Sequence, residues 1–366
     1  MKRILIIAGG TGGHIFPALA VAQSMQAIGV EVHWLGVRGG LEERLVPDHF
    51  PISYVSMKAL RGTGGFAKLL MPWRLLRATI KAYKMIRRLQ PDVVLGMGGY
   101  VTVPGGIAAW LTRIPLVIHE QNAVAGLSNR LLAKIAKTIL QAFPNTFPPH
   151  VKVQTTGNPI RTELIETPLP EDRFATRQGP LRVLVLGGSQ GARFINHRMV
   201  QALMDYPQKE HITVWHQTGA LDYEEIKQAY QSIPVTVTVM PFIDAMSEAY
   251  CWADIVICRA GALTVSEIAA VGVGAVLIPY PFAVDDHQLH NSRYLEQVGA
   301  AIVVIQKTLT TERFIHLLQQ FSQDRGRLLT MARCARSLAQ FKASEQVMLA
   351  CNQLMRTKGL ENDTGR

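Results

Sequence analysis

His14 directly follows the run Gly9-Gly10-Thr11-Gly12-Gly13, which lies between the apolar stretch Arg3–Ala8 and a helical pattern over Phe16–Ile28. A strand–glycine turn–helix unit aims backbone N–H groups at whatever sits before the helix, and an anion or a sugar–phosphate suits that position. A histidine on such a first helical turn has its neutral form favoured by the helix N-terminus, so it can accept a proton near pH 7. The same residues also suit a plain tight turn with a capping or surface histidine. They do not form GxGxxG, because Ile15 takes the last position, and Gly36-Val37 stand where a ribose-binding acid would be expected. That disfavours a dinucleotide dehydrogenase.

A second turn, Gly187-Gly188-Ser189-Gln190-Gly191, follows Arg182–Leu186 and opens a helix over Ala192–Met204. It offers N–H groups and a hydroxyl to a pyrophosphate, but it lacks the lysine of a P-loop. After the strand Ile255–Cys258, a helix starting near Ala262 places Glu267 within its first turn and a half. A carboxylate there can accept hydrogen bonds from a ribose diol, or simply favour the helix dipole. His287 and His290 lie beside Asp285 and Asp286, yet HExxH is absent, and aspartates at helix starts usually cap. No DxD triplet occurs, so neither a metal nor a cofactor is expected.

Charge is distributed unevenly. Residues 1–160 contain 18 Lys and Arg against 6 Asp and Glu, whereas residues 161–366 contain 20 against 21. No acid occurs between Asp48 and Asp92, while nine basic residues do, which calls for an anionic partner. Within that span Phe66, Leu69, Leu70, Trp73 and Leu76 recur among Arg74, Arg77 and Lys81 at near-helical spacing. Such a segment fits a bilayer interface, where each basic residue contributes about 1 kcal/mol near anionic lipid. An ordinary helix with a solvated charged face has the same pattern. Nucleic acid is a poorer fit, since the interleaved side chains are mostly aliphatic rather than stacking aromatics.

These groups need a scaffold. At 366 residues the chain exceeds one ordinary core, and the two glycine-turn units about 180 residues apart predict two doubly wound α/β domains. Hydrophobic residues at 48% argue against disorder. Seven of 19 prolines fall in Phe143–Pro180, marking the connection. The expected domains are 1–158, 159–341, and a C-terminal helix and tail, 342–366. The uncharged stretch Val93–Thr112 holds five glycines and Pro104, so it reads as strand, loop and helix, not a span. The four cysteines form no CxxC pair, and no leader pattern opens the chain.

Six ordered motifs carry a resemblance: Gly9–His14, Gly96-Met97-Gly98-Gly99-Tyr100, His119-Glu120-Gln121-Asn122, Gly157-Asn158-Pro159-Ile160-Arg161, Gly187–Ala192 and Ala262–Glu267. Together they closely resemble the bacterial peptidoglycan transferases that add N-acetylglucosamine to undecaprenyl-pyrophosphoryl-muramoyl-pentapeptide. The resemblance implies a GT-B fold, two Rossmann-like domains facing across a cleft, with acceptor on the first and UDP-N-acetylglucosamine mainly on the second. It implies donor contacts from Thr11, Gly12, Gly13, Asn122, Arg161, Ser189, Ile243, Ala262, Leu263, Thr264, Val265, Ser266, Glu267 and Gln288. Glu267 resembles the ribose-binding glutamate, and Ile243 the residue whose backbone reads uracil. Family members often carry two adjacent glutamines where this chain has His287-Gln288. The implied reaction is inverting β-1,4 transfer to a muramoyl C4 hydroxyl, with His14 as candidate base and helix N-termini stabilising the departing UDP. The implied partners are the prenyl-linked acceptor (lipid I) and the anionic cytoplasmic surface of the inner membrane, with cell-wall or division complexes also admitted.

Overall fold

A strand covered on both faces needs apolar side chains at successive positions rather than alternating ones. Ile4, Leu5, Ile6 and Ile7 meet that condition and are fully buried in β1 (Arg3–Ile7). The computed structural model describes residues 1–56, 71–187 and 191–363. They fall into two units, Met1–Arg161 together with Lys342–Arg366, and Thr162–Phe341.

In the first unit β1 is followed by α1 (Gly12–Ala27), β2 (Glu31–Val37), α2 (Glu42–Leu45), β3 (Ile52–Val55) and α3 (Met71–Leu89). Then come β4 (Val93–Gly96), α4 (Thr102–Leu111), β5 (Leu116–Glu120), α5 (Leu127–Leu132), β6 (Thr138–Gln141) and β7 (Gln154–Thr155). The described strands form one parallel sheet in the order β3-β2-β1-β4-β5-β6-β7. Strand order reverses between β1 and β4. At such a reversal the loops leaving the strand C-termini diverge, and ligands bind in the gap. The glycine turn 9–13 and the turn 97–101 both leave from that point.

One boundary departs from the pattern. The sequence pattern starts the helix at Phe16, after the glycine turn, but α1 already begins at Gly12 and holds Pro17 inside it. Pro17 therefore has no N–H to give the carbonyl of Gly13. The extra turn makes His14 the third helical residue. The C-terminal helix, Ala343–Asp363, lays Val347, Ala350, Cys351 and Met355 on the α1 side of this sheet, in one core with Ala18, Val21, Ala22 and Met25. Positions 347, 350, 351 and 355 follow helical spacing, so one stripe is apolar.

The second unit runs α6 (Thr162–Ile165), α7 (Pro170–Ala175), β8 (Leu181–Leu186), α8 (Arg193–Asp205), β9 (Ile212–Gln217), α9 (Tyr223–Gln231), β10 (Thr236–Met240) and α10 (Met246–Trp252). It continues through β11 (Ile255–Cys258), α11 (Ala262–Val271), β12 (Gly274–Leu277), α12 (His287–Glu296), β13 (Ala301–Val303), α13 (Thr311–Gln323) and α14 (Arg325–Arg336). Its parallel sheet has the order β10-β9-β8-β11-β12-β13, reversing between β8 and β11. Gly187 and the turn at 259–261 leave from there. The change of unit falls at Arg161/Thr162 rather than at 158/159. Gly157 and Asn158 are hydrogen-bonded to His119 and Gln121, which keeps the intervening residues with the first sheet.

Candidate active site

The first glycine turn is tied from two sides. His14 Nδ1 lies 3.2 Å from the Gly9 carbonyl and 3.3 Å from Thr11 Oγ1. A carbonyl can only accept, so Nδ1 carries the proton and Nε2 is the basic nitrogen. The ring lies against Gly98: a Cβ built there would sit 2.6 Å from Cδ2 and 2.9 Å from Nε2. Gly98 also has φ +103, which only glycine adopts readily. The Gly96–Tyr100 motif thus provides the bare surface that seats the histidine. Thr11 caps α1 by position, and Gly12 and Gly13 are its first two residues.

A residue without any motif supports this turn. Glu42 is completely buried, and its carboxylate accepts from Val37 N–H at 2.6 Å and Gly10 N–H at 3.3 Å. Gly9, Gly36 and Gly40 surround it so closely that a Cβ on any of them would collide with it. One N–H of the turn is therefore already committed to a protein carboxylate. The turn is not a simple anion nest, which narrows the sequence expectation.

At the end of β5 the His119–Asn122 motif divides its labour. His119 is buried; Nε2–H donates to the Gly157 carbonyl at 3.0 Å, and Nδ1 accepts from Gln121 Nε2 at 3.1 Å. Burial lowers its pKa to about 4, so it stays neutral and structural. Glu120 accepts from Asn122 N–H and Nδ2, Gly126 N–H and Asn129 Nδ2, all within 3.1 Å. That folds the loop over the carboxylate and fixes Asn122. Arg161 stacks its guanidinium 6.0 Å from the Phe16 ring, beside the start of α1. The first unit thereby groups His14, Gly98 and Gln121, and separately fixes Asn122 and Arg161.

In the second unit Gly187 N–H donates to the Gln217 carbonyl at 2.9 Å, and Gly191, at φ +79, passes tightly by the Thr218 carbonyl. Ser189 lies outside the described residues. Gly261, at the N-cap of α11, makes no side-chain cap, so the helix start at Leu263 and Thr264 is suited to a ligand. Val265 is core, and the Ser266 hydroxyl turns back to the Ala262 carbonyl at 3.0 Å. Glu267 is 7% exposed, and its Oε2 accepts from the hydroxyl of fully buried Tyr250 at 3.0 Å. Ile243 is buried, and its N–H donates to Gln217 Oε1 at 3.0 Å. Its peptide is held, but that donor is engaged within the protein. Gln288 Oε1 accepts from Tyr280 N–H at 2.9 Å, just after Asp285 and Asp286, both in left-handed backbone. Tyr250 and Gln217 have no sequence signal of their own, since neither belongs to any of the motifs.

The described basic residues between Asp48 and Asp92 lie on α3. Ala78, Thr79, Ala82 and Ile86 face the core, whereas Trp73, Leu76 and Ile80 are exposed beside exposed Arg74, Arg77 and Lys81. Phe66, Leu69 and Leu70 lie outside the described residues. α3 packs on α4, and α4 on α5, where Trp110, Leu111, Leu127 and Leu131 are also exposed. The uncharged stretch Val93–Thr112 hides this outward face, because apolar residues around a glycine-rich helix read as core. Among the described residues, no helix is long and apolar enough to cross a membrane.

The comparisons with known proteins agree with this layout. The model of the glycosyltransferase family 28 N-terminal domain matches residues 4–141, and that of the family 28 C-terminal domain matches residues 182–348. A Coxiella burnetii protein named UDP-N-acetylglucosamine–N-acetylmuramyl-(pentapeptide) pyrophosphoryl-undecaprenol N-acetylglucosamine transferase is 60% identical over 353 residues, covering 96% of this chain and 99% of its own. A Marinobacter nauticus protein of the same name is 52% identical over 351 residues, 96% and 97% of the two chains. The crystal structure of Acinetobacter baumannii MurG superposes with a TM-score of 0.82 at 40% identity, covering 96% of this chain and all of that one. The chain belongs to glycosyltransferase family 28, among the pyrophosphoryl-undecaprenol N-acetylglucosamine transferases.

Proposed function

We propose that the protein transfers N-acetylglucosamine from UDP-N-acetylglucosamine to the C4 hydroxyl of undecaprenyl-pyrophosphoryl-N-acetylmuramoyl-pentapeptide, releasing UDP in peptidoglycan synthesis. Near-full-length kinship with proteins named for that donor and acceptor carries the substrate assignment. The acceptor oxygen attacks C1 of the donor sugar as the C1–O bond to the diphosphate breaks, inverting the centre. Such a displacement needs a base for the hydroxyl proton and stabilisation of the departing charge, not a protein nucleophile.

His14 is assigned as that base. Its Nδ1–H is anchored on the Gly9 carbonyl, so the proton would arrive at Nε2, and the imidazolium would keep both donors. On the donor side, the uncapped start of α11 supports the diphosphate, and Glu267 supports the ribose hydroxyls. Ile243 is assigned to the uracil through its backbone, Gln288 to the sugar, and Thr11, Gly12, Gly13, Asn122, Arg161 and Ser189 to the remaining donor contacts. Because Gln217 engages the Ile243 N–H, the Ile243 carbonyl, an acceptor for uracil N3–H, is the group best placed for base reading. The exposed apolar and basic side chains of α3, continued by α4 and α5, support a peripheral seat on anionic lipid at the cytoplasmic face of the inner membrane.

Incubation with labelled UDP-N-acetylglucosamine and the prenyl-linked muramoyl-pentapeptide should yield UDP and a β-1,4 disaccharide product in equal amounts. UDP release without label on the acceptor would refute the transfer.

A further inference from the structure

Glu267 is a flexible side chain, with three rotatable bonds between its backbone and the carboxylate. A carboxylate that recognises a vicinal diol must hold one orientation before the ligand arrives, or part of the binding free energy goes into ordering it. Three features of the second unit supply that order. Tyr250 sits on α10 with its ring fully buried, and its hydroxyl reaches Glu267 Oε2 at 3.0 Å. The backbone carbonyl of Tyr250 accepts from buried Arg173 at 3.4 Å. The same guanidinium donates to the carbonyls of Val271, at 2.9 Å, and Gly272, where α11 ends. α10 is thus clamped to the helix that bears Glu267, so the tyrosine hydroxyl has a fixed place from which to hold the carboxylate. Burial of the phenol adds direction. If Glu267 swung away, that hydroxyl would lose its carboxylate acceptor in a dry site.

We propose that Tyr250 is a positioning residue for ribose recognition, its hydroxyl holding the Glu267 carboxylate in the orientation that accepts the ribose hydroxyls. This rests on the assignment of Glu267 to the ribose. One oxygen can serve both partners, because each carboxylate oxygen has two acceptor sites, and a bond from Tyr250 to Oε2 still leaves directions for a ligand hydroxyl. Deleting the phenolic oxygen leaves the aromatic packing but removes the bond that fixes Oε2. The loss should therefore be felt only by ligands that carry the ribose diol.

The test is calorimetric titration of the full chain with UDP and with 2′,3′-dideoxy-UDP, in wild type, Tyr250→Phe and Glu267→Gln. Tyr250→Phe should weaken UDP roughly tenfold, equivalent to about 1.4 kcal/mol, and leave dideoxy-UDP within about twofold of wild type. A tyrosine that only fills the core would weaken both ligands alike, and that result, or unchanged UDP affinity, overturns the proposal. Glu267→Gln separates the two layers of the argument. If it collapses the preference for UDP over dideoxy-UDP while Tyr250→Phe does not, only the Tyr250 role falls. If it leaves the preference intact, the ribose assignment falls and takes the Tyr250 role with it.

Discussion

Glu42 offers a sharp perturbation, because its two bonds land on different oxygens. Val37 N–H approaches Oε1 at 2.6 Å and Gly10 N–H approaches Oε2 at 3.3 Å, in a pocket with no exposure. Glu42→Gln keeps the volume but leaves one acceptor, so an N–H group must then face an NH₂. A lost bond to a charged group is worth about 1.5–3 kcal/mol, and a buried donor left unmatched costs about 1–3 kcal/mol. Because the two losses overlap, the expected destabilisation is about 3 kcal/mol. The walls allow little relief, since Gly9, Gly36 and Gly40 already press on the carboxylate. Urea unfolding followed by fluorescence reads the stability of the first unit, and Glu43→Gln is the control. Glu43 bonds Gly39 N–H at 2.8 Å but in an exposed site, so its variant should shift stability by no more than about 0.5 kcal/mol. Turnover should fall in Glu42→Gln as well, because Gly10 adjoins the Gly9 carbonyl that anchors His14. If Glu42→Gln and Glu43→Gln unfold at the same urea concentration, the buried carboxylate does not hold the turn, and the reasoning is wrong.

Gly98→Ala should act on the histidine without touching it chemically. The new methyl would lie 2.6–2.9 Å from the His14 ring at a left-handed φ, so kcat should fall toward the His14→Ala level, at least 100-fold, while UDP affinity stays within about threefold. Full activity in Gly98→Ala would remove the ring from its assigned seat. Acid should destabilise each unit through one buried histidine. Burial holds His119 at about 4 and His216 at about 3, against 6.5 in the unfolded chain. Between pH 6.5 and those values the unfolded state binds a proton that the native state does not, so stability falls as pH falls, by about 1.4 kcal/mol per unit for each histidine. Above pH 6.5 the contribution is constant, and a urea midpoint flat from pH 7.5 down to 5 would contradict it. Reversing charge at Arg74, Arg77 and Lys81 should weaken binding to anionic liposomes by about 3–6 kcal/mol, because three attractions are lost and three repulsions added, yet leave turnover of a short-chain soluble acceptor within twofold. Equal loss in both assays would indicate damage to α3 rather than loss of a lipid contact.

The parallel strands were legible because each is covered on both faces and therefore leaves an unbroken apolar run; β1, β8 and β11 lie within a residue of where the pattern places them. The glycine turns were legible because few other sequences put several residues without side chains between a strand and a helix. The supports behind those turns were not. Glu42 meets Gly10 across 32 positions, and its sequence neighbours, Glu43 and Arg44, make it look like one more charge on a solvated helix. Tyr250 and Gln217 belong to none of the motifs, and nothing in the sequence reveals which polar atom a buried hydroxyl or amide will find. Trp110 was hidden for the opposite reason: its place in the uncharged stretch Val93–Thr112 suggests burial, and the structure exposes it.

The two strand-order reversals use the same backbone device under opposite electrostatic conditions. Behind the turn after β1 stands a buried carboxylate that takes a turn N–H, while the Gly9 carbonyl takes the His14 proton. Both features weaken the site for an anion, and the carbonyl favours a histidine that can gain positive charge. Behind the turn after β11 stands a helix start without a side-chain cap, and the carboxylate of Glu267 lies about a turn and a half further along, held by a phenol. That arrangement leaves the helix dipole directed at the ligand while the acid addresses neutral hydroxyls. Under the proposed assignment, the first unit is built to receive a proton and the second to receive the charge of a departing diphosphate. Substitutions at Glu42 or Gly98 should therefore act on the rate at saturating donor, and those at Glu267 or Tyr250 on donor affinity. A variant in either group that moved only the other quantity would break this separation.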